Sequence, residues 1–445
     1  MASDMTPLTR RRLLTIPSLA ALTGALGACD ALPLMEARAI PYQVEVEHRN
    51  VELPQIPDLS AAVTACAALG ERMVRHQVAE GGLNAMACPV GLSLGLALLF
   101  AGATTPTIDV DRVLGTAADD GSVADGTIRD LTWSGVMTSL QEMEASERAL
   151  KDFDPEKLPD TPMLHIANRV LLLVENRVTL PYLEAANRWY SATIEHCDRR
   201  SAKKVLDAWS RHHTGGLIKK SGILVEEDTV AVLQNALLLA AAWQTPFSGD
   251  ATTDEEFTRS DGTKTQVPMM SEGLWVPQAQ ANGWRAIRLP YASHSQDPRL
   301  VVDIILPDAG TDPSELPEGS WAAASTALNS APSTEITLTM PRFDLSTGPV
   351  DMASVLMEMG LDITAPLPHI GDDLQIGQAV QQVRLMVAEK GTVAAALTEI
   401  EIQETAGPVE KDMFTVDHPF VLRIVDRTTG LGVIEGLIGD PGATS

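Results

Sequence analysis

Apolar residues recur at helical spacing through the first half of the chain and in short strand-like runs through the second, and that order narrows the folds open to it. Leu59 to Gln77 carries apolar residues at helical spacing, Gly91 to Ala101 is almost wholly apolar, and Pro181 to Ala192 is amphipathic. Strand-like runs follow at Thr229 to Ala240, Leu300 to Leu306, Glu335 to Thr339, Val380 to Ala388 and Phe420 to Val425. Helices first and strands later, with few strictly alternating βα units, predict an α+β architecture with mixed or antiparallel sheets. The acidic, polar segments 117–130 and 143–160 read as surface loops. With 445 residues, 45% of them apolar, the chain can bury a large core.

The start of the chain reads as processing information. Thr9-Arg10-Arg11-Arg12 opens an apolar run from Leu13 to Ala28 that ends in Leu26-Gly27-Ala28-Cys29. The run is too short to span a membrane, and Pro17 and the preceding arginines argue against a buried N-terminal helix. The paired arginines resemble a twin-arginine export signal and Leu-Gly-Ala-Cys a lipobox. Residues 1–28 are therefore expected to be a lipoprotein signal peptide, Cys29 the lipidated first residue, and 29–58 a tether between a lipid bilayer and a domain at 59–445. The implied location is a membrane-anchored lipoprotein facing the periplasm or the extracellular space. Asp30 resembles an inner-membrane retention signal where the host has two membranes.

Fifty-nine acidic residues against 33 basic ones leave a formal charge of −26, which repels phosphate backbones and argues against a nucleic-acid partner. Cys66, Cys88 and Cys197 are an odd set without zinc-ligand spacing and read as buried thiols. Gly91-Leu92-Ser93-Leu94-Gly95 matches the nucleophile elbow of esterases, but an apolar helical run surrounds it, so Ser93 reads as a helix residue. Ser201-Ala-Lys-Lys204 lacks the companion motifs of penicillin-binding enzymes. His212 and His213 are adjacent, project in different directions and have no third ligand in spacing, so they read as a solvated pair. Neither an enzyme nor a metal or cofactor site is expected.

The most informative stretch is Glu389-Lys390-Gly391-Thr392-Val393-Ala394-Ala395-Ala396. It resembles the hinge of the reactive-centre loop of serpins. Phe414 to Phe420 and Gly436 to Pro441 are similar to that family's closing strands. Asn235 with Trp243 and Phe247, Val267 to Met270, and Leu289-Pro290-Tyr291 follow its central signature in order. Asn84 with Pro89, Gly102-Ala103, Ala167-Asn168, and Trp209 with Thr214, Gly216 and Ile218 fit its helical half, so the likeness runs from about residue 60 to 441. It implies about eight to nine helices around three β-sheets, with an exposed reactive-centre loop at about 389–413. It also implies a monomeric suicide inhibitor that is not an enzyme: a serine protease cleaves the loop, and the loop's first half inserts into the central sheet with the acyl-enzyme attached. Non-inhibitory members, which act as binding or chaperone-like modules, commonly carry charged or bulky residues where this chain has Thr392 and Ala394 to Ala396.

Departures from the family pattern cluster where serpins open that sheet. The usual Ser-Pro pair is Cys88-Pro89, a usual serine is Gly91 and the usual histidine is Gln381, while Asn235 and Trp243 are kept. Seventeen residues counted from Glu389 place the scissile bond at Thr405-Ala406, or after Glu404 if the register slips by one. The small Thr405 suits elastase-like or subtilisin-like proteases, and Glu404 would suit a glutamate-specific one. No basic residue lies between Lys390 and Lys411, which disfavours trypsin-like enzymes.

Side chains alternate faces along a strand, and the loop can be read that way. One face is Thr392, Ala394, Ala396, Thr398, Ile400 and Ile402; the other is Val393, Ala395, Leu397, Glu399, Glu401 and Gln403. The first carries no charge, so it is expected to turn inward on insertion while both acids stay wet.

Overall fold

Three helices begin where the chain supplies an oxygen to the free amides of a first turn. Asp58 accepts from the Ala61 N–H at 3.0 Å, Ser146 from Ala149 at 3.2 Å and Asp198 from Ser201 at 3.1 Å. The backbone N–H of Ala61 and the Ser60 hydroxyl hold the Asp58 carboxyl below its ordinary value. The computed structural model describes residues 38–104, 107–117, 126–295, 297–392 and 412–443. The signal segment 1–28, Cys29, Ala394, Ala395, Ala396, Glu404, Thr405 and Ala406 lie outside the described residues.

Among the described residues the helices are α1 (Leu59–Ala79), α2 (Pro89–Leu99), α3 (Ile108–Val113), α4 (Gly126–Gln141), α5 (Glu147–Lys151), α6 (Leu180–Tyr190), α7 (Arg199–His213), α8 (Ser320–Leu328) and α9 (Ala353–Glu358). The strands are β1 (Ile40–Pro41), β2 (Asn84–Ala87), β3 (Met163–Leu172), β4 (Thr193–His196), β5 (Ala231–Ala242), β6 (Thr253–Thr258), β7 (Lys264–Ala281), β8 (Trp284–Pro290), β9 (Leu300–Pro307), β10 (Ser333–Pro341), β11 (Phe343–Ser346), β12 (Val350–Asp351), β13 (Val380–Gln381), β14 (Arg384–Ala388), β15 (Gly391–Thr392), β16 (Asp412–Thr415), β17 (Phe420–Asp426) and β18 (Leu431–Ile438).

They form three sheets. The main sheet has the order β1-β4-β3-β5-β15-β14-β11, the largest runs β16-β10-β7-β8-β9-β17-β18-β2 with β6 on β7, and β12 pairs with β13. Helix α2 packs against both β5 and β18, which is why its sequence is apolar all round. Ser93 sits inside it with no exposure, as a helix residue and not at a strand-to-helix elbow. Cys66, Cys88 and Cys197 are free and buried.

Two expectations need correction. Residues 38–58 are part of the body and not a tether: β1 pairs with the edge strand β4, and the Tyr42 N–H donates to Ile194 at 2.8 Å. Val51 and Ile56 are buried against α4, where Gly135 lets the chain approach; a Cβ there would stand 2.7 Å from Ile56. Residues 126–130 are the first turn of α4 and not a loop. Their charges turn inward because Arg129 pairs with Asp111 at 2.8 Å, and Asp130 accepts from the Gly102 N–H and the Tyr190 hydroxyl. Burial nevertheless pushes the Asp130 carboxyl up to about 6.

Candidate functional site: a split sheet and its hinge

The hinge is threaded into the top of the main sheet by backbone bonds on both sides. Gly391 lies between Ala242 and Ala388, and Thr392 between Ala241 and Val387. A side chain at Gly391 would put its Cβ 2.3 Å from the Ala241 carbonyl, and the φ of +155° is one that L residues rarely adopt, so only glycine fits. Thr392 is 2% exposed and faces the core, where its hydroxyl meets the Tyr291 hydroxyl at 2.5 Å. Of the uncharged face, Thr392 alone lies among the described residues.

Trp243 belongs to this hinge. Its ring N–H donates to the Ala388 carbonyl at 2.9 Å, its backbone N–H to Lys390 at 2.8 Å, and its ring stacks on Tyr291 at 4.9 Å. Glu389 is held at both ends: its carbonyl accepts from the Phe247 N–H at 2.7 Å, and its carboxylate from Thr252 at 3.0 Å and Arg342 at 3.1 Å.

Lower in the sheet Cys88, Gly91 and Gln381 meet the retained Asn235. Cys88, Gly91, Asn235 and Gln381 all line one groove of about 820 Å³ between β5 and the β13–β14 segment, with α2 beneath and Trp209 and Thr214 of the α7 end above. Pro89 starts α2 and packs toward Gly70 instead of lining the groove. Asn235 does not reach across: its amide donates to the Asn168 side-chain oxygen at 2.9 Å, and Asn168 donates to the Tyr190 carbonyl at 3.0 Å. Gln381 makes the tie on the far side, accepting from the Cys88 N–H and donating to the Cys88 carbonyl, both at 2.9 Å. Gln381 thus binds the second half of the sheet to the start of α2.

Gly91 follows from Cys88. A Cβ at residue 91 would stand 2.8 Å from the Cys88 sulfur and 2.9 Å from the Asn235 oxygen, so no larger residue fits beside this thiol without a shift. Burial pushes the Cys88 thiol up to about 12, leaving it a packed group and not a nucleophile. Asn168 and Tyr291 are partners that motif positions alone do not assign. The signal for Asn168 is its pairing opposite Asn235 in a polar break between two apolar strands.

What the arrangement can accept is a strand. From Ala231 to Ala240, β5 pairs with β3 on one edge, and among the described residues its other edge is unpaired. Counting six residues down from Ala241 reaches Asn235, and six down from Val387 reaches Gln381. The two walls thus keep one register from the hinge to the groove.

Comparison with known proteins agrees with this geometry. A family profile described as Serpin (serine protease inhibitor) matches residues 64–441. A serpin-like protein of Thermococcus kodakarensis is 27% identical over 379 residues, 82% of each chain. Serpin-ZXA of Oryza sativa is 29% identical over 260 residues, covering 53% of this chain and 63% of its own. Among solved structures, the thermophilic serpin tengpin in its native state superposes with a TM-score of 0.69 at 20% identity, over 91% of this chain and all of its own. Human thyroxine-binding globulin superposes with a TM-score of 0.70 at 19% identity, over 86% of this chain.

Proposed function

The chain belongs to the serpin family, whose members are generally non-enzymatic inhibitors, and from that premise we propose that it traps serine-type endopeptidases by suicide inhibition. The observation that carries the reading is the hinge: Gly391 and Thr392 stand as the first two residues of a strand between β5 and β14, with a groove below them in the same register. A protease cleaves the loop at Thr405-Ala406, or after Glu404, and the segment from Val393 onward continues β15 downward. On the register of the walls, Thr398 arrives between Asn235 and Gln381, where it displaces the solvent side of the groove and extends the ladder. The small residues Ala394 to Ala396 suit this reading because insertion has to outrun deacylation of the bound enzyme.

One part of the alternation argument changes. Even-numbered residues of β5 face α7: Val232 clusters with Val205 and Leu206, and the Gln234 amide points to Ser210 at 3.3 Å. Glu399 and Glu401 would follow that side, so their face meets a helix before it meets water, and α7 has to yield as the strand enters.

The test of specificity is a set of progress curves with elastase-like, subtilisin-like, glutamate-specific and trypsin-like enzymes. Time-dependent, irreversible loss of activity is expected with at least one of the first three and not with the trypsin-like enzyme. Reversible or absent inhibition throughout would favour a binding module without trapping activity.

A further inference from the structure

Helix α7 is tied down at its last residue through two side chains, one from β3 and one from the turn after α4. Glu144, in the turn after α4, pairs with Nδ1 of His165 on β3. His165 Nε2 lies 2.8 Å from Nδ1 of His213, and the two rings stack at 5.1 Å with 12° between their planes. The reading of His212-His213 as a solvated pair is thereby corrected for His213: it is enclosed by His165 and by Trp209, whose ring lies 4.4 Å away.

The charges around His213 leave little room for another. From β3, Arg169 lies over Trp209 at 5.1 Å and pairs with Glu195 of β4 at 2.9 Å, and β5 presents the neutral Gln234. From α7 itself, His212 sits with its ring 4.7 Å away and pairs with Glu147 of α5 at 3.3 Å, while Lys203 neutralises Asp207 at 2.5 Å toward the Ser221 turn. Two imidazoles meeting through one N···N contact share one proton. A second proton sets N–H against N–H and adds a cation near Arg169.

We propose that Glu144, His165 and His213 form an acid-sensitive latch that holds α7 over the groove and releases it as pH falls. Its consequence for insertion rests on the inhibitor reading; the latch itself does not. Burial, then the charges of His165, His212 and Arg169, hold His213 down to about 3 from an ordinary value of 6.5. The lifted helix exposes His213 at its ordinary value, so the lifted form binds the proton first. Lifting is therefore favoured up to tenfold for each pH unit below 6.5, until the latched form itself titrates near 3. Above 6.5 neither form gains a proton and the latch is insensitive to pH.

Hydrogen–deuterium exchange on the intact, uncleaved full chain tests this, with rates corrected for the chemical pH dependence and α2 peptides as internal reference. Protection of peptides from α7 is expected to fall about fivefold from about pH 6.5 to about pH 5.5, and to stay level in His213→Gln. Should His213→Gln lose protection in α2 as well, Glu144→Gln serves instead: it removes the carboxylate that holds His165 against His213, so α7 protection at about pH 6.5 falls below the wild type with α2 unchanged, and unchanged α7 protection overturns the latch. Equal α7 protection at both pH values in the wild type, or the same fall in a folded His213→Gln, overturns the latch. A cut form that gains no stability while α7 still responds to acid overturns the inhibitor reading and leaves the latch standing.

Discussion

A Thr392→Arg variant is expected to be cut by every protease that the wild type traps, and to form no covalent complex. Thr392 is buried between Ala241 and Val387 with its hydroxyl on Tyr291, so an arginine there places an unpaired guanidinium in the core side of the sheet. Burying an unpaired charge costs several kcal/mol, so the variant leaves residue 392 outside the sheet before cleavage and insertion has to bury it; about 3 kcal/mol at that step slows insertion by roughly 100-fold. Deacylation is untouched, so the competition between release and insertion shifts by the same factor and the inhibitor becomes a substrate. Thr392→Ala is the control: it loses one hydroxyl contact, worth about 1 kcal/mol, and is expected to keep trapping within about tenfold. The ratio of inhibitor cleaved to protease trapped, read by titration, distinguishes the two; trapping by Thr392→Arg at the wild-type ratio would show that β15 is not the start of the inserting strand.

The second large effect is on stability after cleavage. A segment of about twelve residues entering the groove would add on the order of ten backbone hydrogen bonds at roughly 1 kcal/mol each, against strands that already keep a common register. For a folded body of some 400 residues, roughly 1 kcal/mol corresponds to about 1 °C in Tm, so the cut wild type is expected to melt about 10 °C or more above the intact protein. The intact form is then kinetically held in a less stable arrangement. Cut Thr392→Arg should show little of this rise, because its strand stalls at the first residue. Scanning calorimetry of intact and cut samples checks both statements.

How far this was legible in the sequence depends on where the determining contacts lie. Helices α1, α2 and α6 and strands β5, β9, β10 and β17 announce themselves by local periodicity, and the structure places each within a few residues of its run. The hinge is legible for the same reason: Gly391, Thr392 and the alternation after them are local signals. What is not legible is long-range. The run Val380 to Ala388 reads as one strand but divides into β13 and β14, because Gln381 turns to bind the Cys88 backbone. Residues 38–58 look like a tether until β4 offers an edge to β1 and Gly135 a slot to Ile56. The charges of Arg129 and Asp130 suggest a loop because their partners, Asp111 and Tyr190, are remote in sequence. Gly91 in place of a usual serine looks like a lost hydrogen-bonding group, whereas the structure makes it the space that the Cys88 sulfur needs. His213 gives no sign of its partner His165, which lies 48 positions away.

The central claim is that the loop is an insertable strand that carries a protease with it. The most direct measurement is to mix the purified protein with an elastase-like and a subtilisin-like protease, separate the mixture on a denaturing gel, and determine the mass of the peptide released. The account predicts a band of inhibitor plus protease that survives denaturation, with the peptide beginning at Ala406 or a neighbouring residue. A loop cut at that bond with no covalent band from any protease tested, and no rise in the melting temperature of the cut form, would contradict it.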